Sequence, residues 1–429
     1  MKSSEISGFY KMDVKQRLAF VKEFANLDAN ELELISSTAK IDIKMLDKMI
    51  ENVVGCMILP LGIAVNFRIN EKDYLVPMAI EETSVVAAAS HGAKLARAGG
   101  GFTATTTEPV MIGQVQIVKV PDPHGAKMRI IEHKDEILAM ANEKDPVLVK
   151  LGGGARDINV RVLESRRGTF VVMHLLVNTK DAMGANAVNT MAEAVAPFLE
   201  KLTGGKVVLR IISNLAVYRL ARARAIFKKE LLAKEEEGLS GTDVVEAILD
   251  AYELAEVDPF RCATHNKGIM NGISAVAIAT GNDFRALEAG AHSYAFYAHS
   301  TYKPLTKYEK NSAGDLVGTI ELPLAVGLVG GVTAVHPIAK TAIKILGVKS
   351  AQELAQVMAS VGLAQNFAAL RALATEGIQK GHMGLHARNI AASVGAVGEE
   401  IDIIAEKLVA ERKIRMDRAK ELLDELRKK

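Results

Sequence analysis

The chain has 429 residues, which is too long for one compact hydrophobic core, so two or three domains are expected. It is 49% hydrophobic and 24% charged, the profile of an ordinary globular protein, and a net charge of +2 gives no reason to expect nucleic acid or a membrane surface as partner. Its two cysteines, Cys56 and Cys262, exclude a disulfide framework and indicate a reducing, cytoplasmic setting.

The N-terminal sequence indicates no secretion signal. MKSSEISGFYKMDVKQRL lacks the apolar core of a signal peptide. The longest apolar run, ELPLAVGLVGGVTAVH, is too short and too rich in glycine to span a membrane. We therefore expect a protein without membrane contact.

Two long flanks, residues 1–108 and 216–375, are predicted to be rich in helices. SVVAAASHGAKLARAGGG is an alanine-rich helix ended by three glycines. GTDVVEAILDAYELAEVDP shows the apolar spacing of an amphipathic helix. The residues that share its apolar face are Val244, Ile248, Ala251 and Tyr252.

Residues 109–215 form a separate predicted unit with the order β-α-β-β-α-β. PVMIGQVQIVKV, DINVRVLES and TFVVMHLLVN have strand patterns, and IIEHKDEILAMANEK between the first two has helical spacing. A second helix covers about 184–203, ends at two glycines, and is followed by the strand KVVLRII. This order is the split pattern of ferredoxin-like domains.

The tail after Gly377 has a different character. It ends in AERKIRMDRAKELLDELRKK, whose charges of both signs predict a solvated helix rather than a nucleic-acid-binding segment.

The stretch RCATHNKGIMNGISAVAIATGND holds Lys267, Asn271 and Asp283 among small and apolar residues. Charged groups in apolar surroundings usually pair with each other or take part in chemistry. A solvated loop with a lone lysine is the rival interpretation. Three further stretches favour a functional cluster, namely IEETSVVAAAS around Glu82, DAMGANAVN around Gly184, and GHMGLHARN around His382.

Taken together, these motifs resemble the class II, soluble prokaryotic form of 3-hydroxy-3-methylglutaryl-CoA (HMG-CoA) reductase. ENVVGCMILPLGIAVNF, KDYLVPMAIEETSVVAAAS, HNKGIMNG, GLVGG and RALATEGIQKGHMGLHARNIA follow in the family's order over nearly the whole chain. The resemblance implies an α+β fold with a helix-rich, discontinuous large domain (1–108 and 216–375) for substrate binding and dimerisation. It also implies an inserted ferredoxin-like dinucleotide-binding domain (109–215) and a helical C-terminal flap (376–429).

The resemblance implies a reversible, four-electron reduction of HMG-CoA to mevalonate and CoA, with two NADH or NADPH per turnover. Lys267 would stabilise the carbonyl oxygen as it gains negative charge. Glu82, kept protonated by desolvation among apolar segments, would donate a proton to the developing alkoxide. His382 would protonate the departing CoA thiolate. Asp283 would sit between Glu82 and Lys267, and Asn271 would hydrogen-bond the same group of side chains.

Substrate contacts follow from the same family positions. Arg261 can form a bidentate pair with the free carboxylate of the acyl group. Ser84 and Thr264 would hydrogen-bond that acyl group. Lys11 stands where the family carries a basic residue on the CoA phosphates, although a solvated lysine is an equal alternative.

The cofactor site cannot be an ordinary Rossmann fingerprint, because no GxGxxG follows a strand. The resemblance assigns dinucleotide binding to DAMGAN, where Gly184 would let backbone N–H groups approach a pyrophosphate at a helix N-terminus. A glycine at a strand–helix junction also occurs for structural reasons alone. The assigned residues are Asp181, Ala182, Met183, Gly184, Ala185 and Asn186. Asp145 aligns near the adenosine ribose and favours NADH, unless it only marks the helix end before Pro146.

The catalytic motifs have structural alternatives. Glu81 and Glu82 could be an acidic helix start capped by Thr83 or Ser84. Separately, two histidines four residues apart on one helix face could ligate a metal ion. The zinc-protease version of that motif needs a glutamate after the first histidine, where this chain has Met383, so no metal is expected.

Some positions depart from the family pattern. EETS replaces EEPS, Cys56 stands where threonine is usual, and Ala155 stands where cysteine is usual. Cys262 beside Arg261 suggests a covalent thiohemiacetal mechanism, but we interpret it as a packing residue.

Two other classes of protein remain open. One is an oxidoreductase for a shorter acyl-CoA, against which Arg261 argues, and the other is a non-catalytic CoA- or nucleotide-binding protein. The family works as dimers with sites at the subunit interface, in either the synthetic or the degradative direction.

Overall fold

A computed structural model describes residues 3–37, 43–235, 238–375 and 377–427, without the side chains of residues 334 and 378–385. The elements up to residue 108 are α1 (Val14–Ala25), α2 (Ala29–Ser36), α3 (Ile43–Leu46), β1 (Leu61–Ile69), β2 (Lys72–Ala79), α4 (Val85–Arg97) and β3 (Phe102–Thr106). The middle part contains β4 (Val110–Val118), α5 (Pro123–Glu132), α6 (Lys134–Asn142), α7 (Pro146–Lys150), β5 (Gly154–Leu163), β6 (Phe170–Asn178), α8 (Ala185–Thr203) and β7 (Lys206–Ser213).

The chain continues with β8 (Leu220–Phe227), α9 (Gly241–Val257), α10 (Pro259–Ala279), α11 (Phe284–Tyr297), β9 (Thr306–Lys310), β10 (Leu316–Pro323), α12 (Gly331–Val335), α13 (Pro337–Leu346) and α14 (Ala351–Ala374). It ends with α15 (Ile378–Ser393), α16 (Glu399–Ala410) and α17 (Met416–Arg427). Short 3-10 helices lie at Phe9–Lys11 and Lys229–Leu231. The arrangement is a mixed α+β fold, as the sequence predicted.

A six-stranded sheet in the order β2-β1-β3-β8-β10-β9 joins strands from before and after the middle part of the chain. Its strands pair antiparallel except β1 with β3, and Phe102 of β3 lies opposite Ala225 of β8. Helices α4, α10 and α14 pack against one another and against this sheet around the largest hydrophobic core. The flanks are rich in helices, as predicted, but the sheet was not indicated by periodicity. Its strands β1 and β2 are buried in continuous runs, a pattern that periodicity alone cannot distinguish from a buried helix.

A second, four-stranded antiparallel sheet in the order β5-β6-β4-β7 has its own core. All four strands predicted for residues 109–215 are confirmed, and so is the long helix α8, which ends at Gly204 in the left-handed conformation. The helix predicted between the first two strands is instead three helices, α5 to α7. The segment 130–144, predicted as one helix, divides at His133, where α5 ends and α6 begins. Asp145 then caps the separate helix α7, whose first residue is Pro146.

Helix α14 is the one helix of the described chain that is long and apolar enough to cross a membrane by length and composition. Its most apolar window has a mean hydropathy of 1.3 and is 67% buried within the protein. It lies between α4, α10 and β8, which is the position of a core helix. The last three helices, α15 to α17, bury a small hydrophobic cluster of their own that includes Ala391, Leu408 and Leu422.

Candidate active site

An ion pair joins two distant parts of the sequence. Glu82 lies in the turn between β2 and α4, and Lys267 lies on α10, which packs directly against β2. The Lys267 Nζ atom is 3.1 Å from Glu82 Oε2. One turn further along α10, Asn271 donates from Nδ2 to the same oxygen at 3.5 Å. The structure therefore brings together three of the residues that the motifs singled out.

This pair is open to solvent in the single chain. The side chain of Lys267 is 60% exposed and that of Glu82 is 41% exposed. The sequence interpretation placed Glu82 between apolar segments that would desolvate it. That expectation is wrong for the isolated chain, because Glu81 and Glu82 are exposed although the end of β2 before them and Val85 after them are buried.

Ser84 holds an unusual backbone conformation beside Glu82. Its φ of 73° lies in the left-handed region, and its side chain makes no capping hydrogen bond to α4. The alternative in which Ser84 simply caps the helix is therefore not what the structure shows. Strained non-glycine residues of this kind cluster at functional sites.

A polar stripe runs along the accessible face of α10. Arg261, Thr264, Lys267 and Asn271 follow at intervals of three or four residues, so they share one face over about 15 Å. The opposite face, which includes His265, is buried. Arg261 is half-buried, and this burial lowers the pKa of its guanidinium from the ordinary value. Asp258 caps the helix, because its carboxylate accepts from the backbone N–H of Arg261.

Cys262 is fully buried on the core side of α10. Burial raises the pKa of its thiol to about 11, and its Sγ accepts a hydrogen bond from Asn266 at 3.6 Å. A buried thiol with a raised pKa supplies almost no thiolate at neutral pH, so it cannot serve as a nucleophile there.

Asp283 follows α10 and caps α11. Its Oδ1 accepts from the backbone N–H groups of Arg285 and Ala286 and lies 3.1 Å from Arg285 Nη2. These contacts direct the carboxylate toward the start of α11. The placement between Glu82 and Lys267, expected from the resemblance, is not among the contacts that the structure records for Asp283.

A group of hydrogen-bonded side chains next to Lys267 was not predicted from the sequence. Ser274, on α10, donates to Glu288 of α11 at 2.6 Å, and the other Glu288 oxygen lies 3.3 Å from His292 Nε2. His292 Nδ1 in turn lies 2.7 Å from the Tyr302 hydroxyl. Burial by itself raises the pKa of Glu288, but hydrogen bonds from His292 and Ser274 and the charges of His292 and Lys267 outweigh it and leave the pKa below its ordinary value. The only sequence signal was the spacing of an acid and a histidine by four residues.

His382 lies on α15, and its side chain is outside the described residues. Its neighbour His386, one turn on, is exposed. Within the residues that the structure describes, no three His, Cys, Asp or Glu side chains are grouped closely enough to hold a metal ion.

The DAMGAN stretch connects β6 to the N-terminus of α8. Gly184 precedes the helix with φ 106°, and a Cβ atom there would lie 2.3 Å from the Thr179 side chain, so only glycine fits. Ala185 and Asn186 begin the helix, and Asn186 is exposed. A 19-residue helix that starts in this way presents unpaired N–H groups and the positive end of its dipole, which suits a pyrophosphate.

The rest of DAMGAN is tied to the GLVGG stretch. The Asp181 carbonyl accepts from the backbone N–H of Leu328 at 2.8 Å, and Ala182 forms an isolated parallel bridge with Val329. The Asp181 carboxylate accepts from the backbone N–H of Ala351 at the start of α14. Its side chain therefore holds the loop in place.

Asp145 caps α7 by accepting from the backbone N–H of Leu148 at 2.9 Å. It begins a helix rather than ending one, which corrects the structural alternative considered for it. Pro146 occupies the first position of that helix.

A cavity of about 860 Å³ lies beside α4, between the N-terminal segment and β1. Lys11 lines it together with Arg17, His91 and Lys94. Three lysine and arginine side chains around one largely apolar cavity suit a ligand with an apolar body and anionic groups.

An ammonium–carboxylate pair that can polarise a carbonyl, together with a glycine-opened helix N-terminus suited to a pyrophosphate, indicates a nicotinamide-dependent oxidoreductase. The sequence model of the hydroxymethylglutaryl-coenzyme A reductase family matches residues 13–387. The chain belongs to this family, as the motifs predicted, and its reaction is the reduction of HMG-CoA to mevalonate.

Known relatives agree over almost the whole chain. A 3-hydroxy-3-methylglutaryl-coenzyme A reductase from Archaeoglobus fulgidus is 60% identical over 425 residues, covering 99% of this chain and 95% of the relative. A probable reductase from Borreliella burgdorferi is 38% identical and covers 80% of this chain and 77% of the relative. The class II reductase of Streptococcus pneumoniae bound to NADPH in open conformations is 39% identical, with a TM-score of 0.81 over 97% of this chain and 100% of that one.

Proposed function

We propose that Lys267, Glu82 and Asn271 form the centre at which HMG-CoA is reduced, and that the Lys267–Glu82 pair is the observation on which this assignment depends. The thioester carbon gains a hydride and its C–S bond breaks. The aldehyde so formed gains a second hydride to give mevalonate. In each step the substrate oxygen becomes more negative, and the Lys267 ammonium stabilises it.

Glu82 is the proton donor for the alkoxide in this proposal. Its position 3.1 Å from Lys267 puts it within reach of a substrate oxygen that binds Lys267, and in its acid form the Glu82 carboxyl group gives its proton to that oxygen. The exposure of both groups means that substrate, a second subunit or the C-terminal helices must supply the desolvation that strengthens these interactions.

His382 protonates the departing CoA thiolate, as its position in the family pattern implies. Asp283 acts on the same centre in this proposal. It lies between the end of α10, the helix that carries Lys267 and Asn271, and the start of α11. Its contacts with Arg285 use Oδ1, so Oδ2 is the oxygen that we expect to face Lys267 and Glu82.

The acyl group binds along the polar stripe of α10. Arg261 pairs with its terminal carboxylate, and Thr264 and Ser84 hydrogen-bond it. The stripe leads from the carboxylate contact at Arg261 to the reacting centre at Lys267 within two helical turns. Lys11 contacts the CoA phosphates from the wall of the adjacent cavity.

The residues from Asp181 to Asn186 hold the nicotinamide cofactor, with its pyrophosphate at the N-terminus of α8. Bound there, the cofactor supplies hydride, and two equivalents are needed per mevalonate. Asp145 favours NADH because a carboxylate near the ribose accepts from hydroxyls and repels a 2′-phosphate. No metal ion takes part in this proposal.

The β4–β7 unit is a ferredoxin-like cofactor-binding domain spanning 109–215. Its strand order, with the two central strands being the first and third of the unit, supports this. Residues 1–108 and 216–375 form the large domain. The pairing of β3 from the first part with β8 from the second supports this, because it joins the two parts in one sheet. Residues 376–429 are a flap that closes over the site, supported by their separate small core.

The protein works as a homodimer or a dimer-based assembly. The segment before β1 exposes several large apolar side chains, among them Val54, which is 97% exposed, and Met57, which is 86% exposed. Contiguous apolar exposure of this kind marks a surface for a partner, and a second copy of the chain completes the site. The assembly is cytoplasmic. The ratio of reduced to oxidised cofactor determines whether it synthesises or degrades mevalonate.

The test is cofactor oxidation by purified protein with HMG-CoA, measured separately with NADH and NADPH beside Lys267→Ala. We expect two cofactors oxidised per CoA released, with NADH the better donor, and no turnover in the variant. A folded, dimeric protein that oxidises neither cofactor would overturn the proposal in favour of a shorter acyl-CoA substrate or a binding role.

A further inference from the structure

Arg219 is a buried arginine where the chain returns from β7 to β8. Only 5% of it is exposed, and burial lowers the pKa of its guanidinium to about 10, against which the charge of Asp181 acts. The group is therefore still charged at neutral pH. A buried charge is retained only where hydrogen bonds satisfy it.

The guanidinium donates to the cofactor loop. Arg219 Nη1 lies 2.8 Å from Thr179 Oγ1, 3.0 Å from the Ala182 carbonyl oxygen and 3.1 Å from the Met183 carbonyl oxygen. Thr179 adds to the same cluster, because its hydroxyl also donates to the Ala182 carbonyl at 3.0 Å.

These contacts fix the direction of two peptide groups. In a trans peptide the N–H points away from the C=O of the same plane. Since the carbonyls of Ala182 and Met183 point at Arg219, the N–H groups of Met183 and Gly184 point to the opposite side of the loop. They are the two amides that immediately precede the N-terminus of α8.

Arg219 also reaches the segment that leads to the catalytic centre. Its Nη2 donates to the carbonyl of Val326, and the next residue, Gly327, donates its backbone N–H to Asn282 Oδ1 at 2.8 Å. A Cβ atom on Gly327 would lie 2.6 Å from the Met183 nitrogen, so the two loops touch through their backbones. Asn282 precedes Asp283.

We propose that Arg219 is a positioning residue for the cofactor: it turns the Met183 and Gly184 amides toward the pyrophosphate and ties that loop to the segment before Asp283. The proposal rests on the proposed assignment of the cofactor to DAMGAN. Without Arg219, the Met183 carbonyl loses its guanidinium donor and the Ala182 carbonyl keeps only the Thr179 hydroxyl. The two peptide planes are then less firmly oriented, and the anion loses oriented amides.

The test compares Arg219→Met and Arg219→Lys with Arg224→Met, which removes an exposed arginine from β8, the strand that follows Arg219. Dissociation constants for NADH and for HMG-CoA are measured by calorimetry, since the chain has no tryptophan to report binding. Folding is checked by circular dichroism. We expect Arg219→Met to weaken NADH binding about 10- to 100-fold. HMG-CoA binding and the Arg224→Met control should keep the native values, and Arg219→Lys should fall between.

A variant that fails to fold does not end the test. Thr179→Val removes one acceptor of Arg219 at nearly constant volume, and Thr179→Ser restores it. We expect the valine variant to weaken NADH binding and the serine variant to recover it. Unchanged NADH binding in folded Arg219→Met or Thr179→Val, or an equal loss of HMG-CoA binding, would overturn the proposal.

A separate variant distinguishes this inference from the cofactor assignment. Asn186→Asp places a negative charge at the start of α8 without touching Arg219. If that variant binds NADH normally, the cofactor assignment itself is wrong. If it loses NADH while the Arg219 and Thr179 variants do not, only the role of Arg219 is wrong.

Discussion

The ammonium of Lys267 and the carboxylate of Glu82 meet at 3.1 Å although 185 positions separate them in the sequence. Strand β2 packs against α10, so the turn that ends the strand is brought to the helix face that carries Lys267 and Asn271. The same contact leaves the pair at the surface, where the substrate can reach both groups.

Replacing Lys267 by methionine should remove the cation that stabilises the substrate oxygen while keeping the length of the side chain. We expect kcat to fall by about 10²- to 10³-fold or more, with little change in the melting temperature, because the side chain is largely exposed. Steady-state kinetics would measure this beside Lys307→Met, an exposed lysine on β9. Comparable turnover in the two variants would remove Lys267 from the mechanism.

Glu82→Gln keeps the shape of the side chain and removes its proton donor. We expect a fall in kcat of about 10²- to 10⁴-fold, whereas the adjacent exposed Glu81→Gln should retain most activity. Binding of HMG-CoA should persist in both variants, since the proposed acyl contacts are made by Arg261, Thr264 and Ser84 and by neither glutamate. An equal loss in the two variants would point to the acidic turn as a whole and against a specific role for Glu82.

Asn186→Asp tests the helix N-terminus as a phosphate site. The negative charge of an aspartate in the first turn of α8 interacts favourably with the positive end of the helix dipole, so the free energy of unfolding should be unchanged or slightly raised. The same charge repels a pyrophosphate, so the KM for the cofactor should rise at least about tenfold while the KM for HMG-CoA stays constant. Asn186→Ser, which is neutral, is the matched control. A rise in the KM for HMG-CoA alone would place the cofactor elsewhere.

The sequence predicted elements with strong periodicity and failed where burial or a long-range contact decides the outcome. The strands β4 to β7 were predicted because their alternation survives in a sheet with one open face. Strands β1 and β2 of the larger sheet were not predicted, because their buried residues form continuous runs without alternation. The motifs singled out Glu82 and Lys267, but Arg219 and Glu288 were missed. Only the fold shows that Arg219 donates to the Ala182 carbonyl and that Glu288 lies close enough to Lys267 to feel its charge.

Cys262 should be dispensable for catalysis. Its thiol is buried and its pKa is raised to about 11, so Cys262→Ala should keep most of kcat and lose about 1 kcal/mol of stability through the small cavity left behind. Iodoacetamide should modify the exposed Cys56 and spare Cys262 in the folded protein, which peptide mass spectrometry can resolve. A loss of activity by orders of magnitude in Cys262→Ala would instead support a covalent thiohemiacetal.

Glu288 should make stability depend on pH in a defined direction. Its pKa lies below the ordinary 4.5, since hydrogen bonds from His292 and Ser274 and the nearby charges of His292 and Lys267 outweigh the opposing effect of burial. A lowered pKa means that the folded state binds the proton less tightly than the unfolded state. The stabilisation is therefore fully present above about pH 5 and is lost as the pH falls through the folded-state pKa.

Urea unfolding of the native chain and of Glu288→Gln at pH 7 and pH 4 would test this. The variant should be less stable at pH 7, and the difference should narrow at pH 4, where the native carboxylate begins to take up its proton. Glu253→Gln on α9, outside this cluster, is the control and should follow the native chain at both values. If the difference in stability between the native chain and Glu288→Gln widens on acidification, the folded state holds Glu288 as the neutral acid. That result would contradict a stabilising interaction of the Glu288 carboxylate with His292 and Lys267.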